Sequence, residues 1–138
     1  MLVKPSDIVK ITLVPFLIFL LNEVLYSFWP GLSFDWQLDI YLHIVGGMSV
    51  AAAGIVALRV AERGGWVKIN RVFAAFFLVV ALVMAAAVTW EFYEFLHDYF
   101  YGTHFQPNNA DTMKDLFMGT VGGILWYLGH YIRTRRVL

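Results

Sequence analysis

Three carboxylates and an imidazole close one apolar stretch of this chain, Trp90-Glu91-Phe92-Tyr93-Glu94-Phe95-Leu96-His97-Asp98. Glu91, Glu94 and Asp98 are spaced i, i+3 and i+7, which a helix places on one face. Acids in lipid are costly and rare, and they mark functional sites by default. Two further segments carry aligned groups: Asp39 with His43, and Asp111 with Asp115, both at i, i+4. Carboxylates joined by one or two imidazoles suit Zn²⁺, Mg²⁺, Mn²⁺ or iron. The expected metal ligands are therefore Glu91, Glu94, Asp98, Asp111 and Asp115, with His43 and Asp39 as partners. Glu94 and His97 also form a Glu-x-x-His pair, the spacing that di-metal bundle proteins use twice and this chain uses once.

Each of these residues has a plainer use. The acids of residues 91–98 suit a helix end that faces water. His43 suits a hydrogen-bonded structural histidine, and His97 and His104 suit surface or loop positions. Asp111 suits an N-cap ahead of Thr112, with Asp115 in the first turn, where acids favour the helix dipole.

Helices must hold these residues, and composition says where. Of 138 residues, 60% are hydrophobic and 14% charged, against about 25% charged in a soluble domain. A hydrocarbon core needs about 20 apolar residues per helix. Segments at about 8–29, 37–58, 72–99 and 111–132 meet that length. The expectation is an all-α fold, a single integral membrane domain of four transmembrane helices over residues 1–138. The first span stops at Pro30-Gly31, a strong turn signal. The apolar run after Lys10 has no small-residue cleavage site, which reads as an uncleaved span rather than a signal peptide. Residues 100–110, with Gly102, Pro107 and Asn108-Asn109, read as a polar loop or short re-entrant piece.

Basic residues set the orientation. Lys4 and Lys10 precede the first span; Arg59, Arg63, Lys68 and Arg71 join the second to the third; Arg133, Arg135 and Arg136 follow the fourth. All fall on one side of an up-and-down arrangement, and Lys114 alone falls on the other. The positive-inside rule then puts both termini and the loop between the second and third spans in the cytoplasm, with the acidic site facing outward. Asp35, Glu23 and the residues named above gather at the outer half, and His130 lies inside.

Small residues continue the acidic stripes inward: Gly46, Gly47, Ala51 and Gly54 below His43, Ala87 below Glu91, and Gly119, Gly122 and Gly123 below Asp115. Small residues let membrane helices approach closely, so the acidic faces should point into the bundle. Carboxylates brought together there need a divalent cation, shared protons or a water-filled vestibule, since Lys114 is the one outer cation.

The function this suggests is a metal-dependent hydrolase or transferase acting on a lipid or lipid-linked substrate. The alternative is a non-enzymatic cation- or proton-handling protein, or an accessory subunit with a membrane-protein partner. A purely structural network of acids is a third reading. Cysteine is absent, which removes disulfides and thiolate chemistry. No haem, no nucleotide cofactor and no nucleic acid are expected: paired deep histidines and nucleotide motifs are missing. The aromatic residues near the span ends, Trp29, Trp36, Trp66 and Tyr101, read as interfacial belts.

The motif order carries a resemblance. Asp39-x-x-x-His43-x-x-Gly46-Gly47, then Trp90-Glu91-x-x-Glu94-x-x-x-Asp98, then Asp111-Thr112-x-x-Asp115 followed by Gly122-Gly123, resembles the YjdF-like family of small membrane proteins. More distantly it is similar to VanZ-like proteins. The resemblance spans roughly residues 37–130 and implies a compact helical bundle in the cytoplasmic membrane, without naming a reaction.

Overall fold

The computed structural model describes residues 3–28 and 36–134, with the side chains of Trp36 and Gln37 left out. Trp29, the Pro30-Gly31 turn, Ser33, Asp35, Arg135 and Arg136 lie outside the described residues. Four α-helices and no strand are found within them: α1 Pro5–Phe28, α2 Trp36–Arg63, α3 Val72–Tyr101 and α4 Asn109–Thr134. Helices of 24, 28, 30 and 26 residues exceed the ~20 that a bilayer core requires. α1, α2 and α3 are long and apolar enough to cross a membrane. α4 has the length but opens on Asp111, Lys114 and Asp115, and it falls short in apolar character.

Local chemistry explains the ends. α3 stops at Gly102, whose φ of 66° is open to glycine at little cost, and whose N–H donates to the Asp98 carbonyl at 2.9 Å. At the start of α4 the side chain of Asn108 accepts from Ala110 N at 2.9 Å and Asp111 N at 3.2 Å. The N-cap assigned to Asp111 is therefore made by Asn108, three residues earlier, and Asp111 is left free to act as a charge.

α2 is the centre of the bundle: it packs on α1, α3 and α4, and α3 packs on α4. α1 brings no Cα within 8 Å of α3 or α4 among the described residues. The closest approach is between α2 and α4. A Cβ on Gly47 would collide with the Gly119 carbonyl, and one on Gly122 with the Ile44 carbonyl. Glycine at 47 and at 122 permits that spacing, as small residues do in membrane interfaces, whereas a Cβ on Gly119 would make only ordinary contacts. Gly123 turns instead to α3, where a Cβ would stand 2.7 Å from a Val83 methyl. Gly46 does not join the seam; a Cβ there meets nothing within 4 Å.

Below the seam Ala51, Ile55, Ala75, Val79 and Val83 form a dry core around Tyr127. The Tyr127 hydroxyl donates to the Val72 carbonyl at 3.1 Å, so its one polar atom is satisfied. Large apolar side chains such as Phe16, Leu17, Phe73, Phe77 and Phe92 are exposed. In a membrane protein that surface meets lipid, which is as apolar as they are.

The helices alternate in direction, so the bundle has a basic end and an acidic end. At the basic end Arg63 donates to Asp7 at 2.7 Å, and Arg59 meets His130 at 2.7 Å. Glu62 holds the α2–α3 connection by accepting from Ile69 N at 2.9 Å.

Candidate functional site

The acidic end is built where the first turns of α2 and α4 meet the last third of α3. The glycine seam sits one to two turns below and brings the two starting turns together. Asp39 and His43, one turn apart on α2, join through Asp39 Oδ1 and His43 Nε2 at 3.3 Å. Across the seam the same imidazole nitrogen lies 3.8 Å from Asp115 Oδ1. Asp39, His43 and Asp115 each offer one donor atom within 4.8 Å of the others. His43, Glu91 and Glu94 meet the same condition, so one imidazole serves two neighbouring triads.

These groups are deep. Glu91, Glu94 and Asp115 are 7%, 3% and 2% exposed. Glu94 accepts from the Trp90 indole at 2.8 Å, one turn back on its own helix. Glu91 accepts from the Gln106 side-chain amide at 2.8 Å, a donor supplied by the α3–α4 loop. Asp115 Oδ1 has no hydrogen bond; its neighbours are charges, His43 and, at 3.4 Å, Lys114. A buried carboxylate oxygen without a hydrogen bond costs on the order of 1–3 kcal/mol or more. Glu23 Oε1 on α1 is buried in the same condition.

Lys114 changes the charge balance expected from the sequence. Its ammonium reaches Asp111 at 2.6 Å, Asp39 at 2.9 Å and Asp115 at 3.4 Å. It is not an isolated outer cation but the counter-ion of all three aspartates. Among the described residues it forms no ion pair with Glu91 or Glu94. The cluster therefore divides: a lysine-balanced aspartate group toward α4, and a glutamate pair on α3 that shares a triad with His43.

Two of the expected ligands lie apart from both triads. Asp98 is spent on the loop: it accepts from Thr103 Oγ1 at 2.6 Å, Phe105 N at 2.8 Å and Gln106 N at 2.9 Å. Its i+7 spacing does keep it on the face of Glu91, but two turns further along, where loop backbone competes for its oxygens. Asp111 sits at the rim as a partner of Lys114. His97 is a loop-facing group, as one reading of it held. The Thr103 hydroxyl, having given its hydrogen to Asp98, accepts from His97 Nδ1 at 3.0 Å. The His97 ring stacks on Phe105 with centroids 4.7 Å apart.

Sequence reasoning missed Gln106 and the bridging role of Lys114. For Lys114 a signal existed, since it lies three residues after Asp111 and beside Asp115. For Gln106 none did, because loop residues have no period that assigns a face.

Chemically, the arrangement offers a cluster of buried oxygen donors with one imidazole, its glutamates hydrogen-bonded by Trp90 from within the bundle and by Gln106 from the loop. Held by oxygen and imidazole ligands, a divalent cation would find the donor set it prefers.

Comparison with known proteins places the whole chain. Residues 4–136 match the family described as "Predicted membrane protein (DUF2238)". Neither the curated proteins nor the solved structures yield a match. The match fits the YjdF-like resemblance and adds nothing to the VanZ-like one. Since it takes in nearly all of the sequence, the chain belongs to the DUF2238 family of membrane proteins.

Proposed function

We propose that this member of the DUF2238 family holds a divalent cation between His43, Glu91 and Glu94, at the outer end of a four-span bundle. The observation that carries it is the glutamate pair itself. Two carboxylates buried to 7% and 3% exposure lie within 4.8 Å of an imidazole and outside the reach of Lys114. Buried like charges are stable only with a compensating cation or protons. The bare Asp115 oxygen faces the same His43 Nε2 as Asp39 does, so it stands on the ring's Asp39 side. Asp39, hydrogen-bonding distance from His43, would orient the ring, as carboxylates orient metal-bound histidines. Zn²⁺, Mg²⁺, Mn²⁺ and Fe²⁺ all remain compatible with this donor set.

When bound, such an ion supplies Lewis acidity and a more acidic water. The chain would supply the rest. Glu91 lines a groove between α3 and α4 together with Phe92, Phe95 and Asn109, which would give an incoming group access to the cation. Gln106 holds that carboxylate in position and would release it when a substrate arrives. The reaction class is hydrolysis or transfer on a lipid or lipid-linked substrate, reached from the bilayer surface.

The placement in the membrane belongs to the same reading. All four helices would cross, α4 with its polar face turned inward. Lys4, Lys10, Arg59, Arg63, Lys68, Arg71 and Arg133 gather at the end opposite the acids, which supports cytoplasmic termini in a prokaryotic plasma membrane.

A second reading has one observation in its favour. Lys114 already balances the aspartates, as a permanent structural cation would. On that reading the protein handles protons or cations, or serves as an accessory subunit, without a bound metal. Metal content of detergent-purified protein separates the two. Stoichiometric metal in the wild type that is lost in Glu94→Gln supports the cation site, and metal-free wild type overturns it.

A further inference from the structure

Below His43 lies a half-open cavity of about 220 Å³, bordered by that imidazole but by none of the carboxylates of the cluster. Ile18 and Phe19 of α1, Leu42 and Val50 of α2, and Val83 and Ala87 of α3 make most of its wall. The wall is apolar except at its acidic end, where His43 and Asn22 stand, and at Ser49, whose hydroxyl is given to the Gly46 carbonyl at 2.7 Å. Asn22 is only 6% exposed, and no hydrogen bond joins its side-chain amide to any described residue. The amide lines the cavity and offers both a donor and an acceptor to whatever enters it.

The cavity exists because three elements fail to close on one another. Gly46 presents no side chain, and a Cβ added there would meet nothing within 4 Å. Its neighbour Gly47, by contrast, is in the tight seam with α4. Pro15 lines the floor of the cavity from within α1. α1 and α3, which form two of its walls, never bring Cα atoms within 8 Å. They meet through side chains near the upper end, where Phe19 sets its ring edge-on to Trp90 at 5.7 Å and against Tyr93 at 5.9 Å.

We infer that this cavity takes a stretch of hydrocarbon chain from a membrane lipid, entering between α1 and α3, with the Asn22 amide meeting the polar group at the head of that chain. The size selects a chain rather than a whole molecule. Ligand pockets for drug-sized molecules run to ~300–1,000 Å³, whereas a dry aliphatic cavity of ~150 Å³ already admits benzene. The location selects lipid as the source. Phe16, Leu17 and Leu20 of α1 and Leu82 and Val88 of α3 are exposed around these two walls and meet acyl chains in a bilayer. A chain seated there sets its polar end beside His43, at the base of the glutamate pair. This deepens the lipid-substrate reading and rests on the helices lying in a bilayer; it does not depend on a bound cation.

The test uses the full chain in phosphatidylcholine vesicles doped with phosphatidylglycerol carrying a photoactivatable diazirine in one acyl chain. Cross-links are mapped residue by residue. The expected result is an excess at Ile18, Asn22 and Val50 over the outward-facing Phe16 and Leu17. Gly46→Phe, which fills the open space, should cut the cavity cross-links at least tenfold and leave the outward ones unchanged. Gly129→Phe, where a Cβ also meets nothing within 4 Å, is the control on α4 and should leave both unchanged. Gly46→Leu is the smaller plug if the phenylalanine variant does not fold. Cross-links spread evenly over outward faces, or undiminished at Ile18 and Val50 in a folded plugged variant, would overturn the proposal. Metal content measured on the same samples keeps a failure of the lipid site distinct from a failure of the cation site.

Discussion

The Lys114 ammonium lies 2.9 Å from the Asp39 carboxylate, tying the second turn of α4 to the first turn of α2 across 75 residues of sequence. The glycine seam brings the helices together from below, and this ion pair closes them at the top. Lys114→Met leaves Asp39 and Asp115 without their cation. Removing one partner of a fully buried pair costs ~3–5 kcal/mol, and Lys114 is 23% exposed along its side chain, so a loss of about 2 kcal/mol is expected. Asp39→Asn added to Lys114→Met should recover part of it. Thermal unfolding of the detergent-solubilised variants measures both. Additive losses in the double variant would show that the two residues are not coupled.

Adjacent glycines on α2 should respond oppositely. Gly47→Ala drives a methyl into the Gly119 carbonyl and forces α2 from α4, with a loss in the range of about 1–3 kcal/mol for overpacking. Gly46→Ala adds a methyl in open space and gains up to ~1 kcal/mol from helix propensity. Thermal unfolding of the two variants side by side distinguishes them. Equal effects would mean that the α2–α4 crossing is not at Gly47.

Asp98 acts on the loop, and its loss should be felt there. Asp98→Ala removes acceptors for Thr103, Phe105 and Gln106, each a charge-assisted bond of about 1.5–3 kcal/mol. Hydrogen exchange at residues 103–106 should rise by at least tenfold, with the core around Val79 and Tyr127 unchanged. Because Gln106 also steadies Glu91, metal affinity should fall modestly while the site survives. Complete loss of metal in this variant would make Asp98 a ligand after all.

With no native cysteine, single introduced thiols report the topology cleanly. Trp66 and His104 are both exposed, at opposite ends of the bundle. In intact cells a membrane-impermeant maleimide should label His104→Cys and spare Trp66→Cys until the membrane is opened. The reverse pattern would put the acidic end in the cytoplasm.

Much of this site was readable before any coordinates. Asp39 with His43, Glu91 with Glu94, and Asp115 converge as their helical spacing says, because the period of a helix fixes a face and the glycines below fix which face is inward. Asp98 was harder. Spacing gives its direction but not its height, and at the end of α3 the loop backbone offers it N–H groups closer than any cation. The outer placement of Lys114 follows from the sequence, but its bridging of three aspartates does not. A lysine reads as an outer charge from its position, yet its long stem carries the ammonium to whichever carboxylates are near. The substitution of Asn108 for Asp111 as N-cap shifts a helix start by only a few residues, but it decides whether Asp111 is tied to its own backbone or free for Lys114. α4 has the length of a span, and its polar first turns set it apart from the three helices that meet both the length and the apolarity of one.

The most direct test of the cation site is the paramagnetic resonance of Mn²⁺ added to purified, metal-stripped protein, read by electron spin echo modulation for a coordinated imidazole nitrogen. One nitrogen coupling should appear in the wild type, persist in His97→Gln and disappear in His43→Gln, with Glu94→Gln weakening Mn²⁺ binding at least tenfold. No nitrogen coupling in the wild type, or a coupling that survives His43→Gln, would contradict a cation held by His43, Glu91 and Glu94.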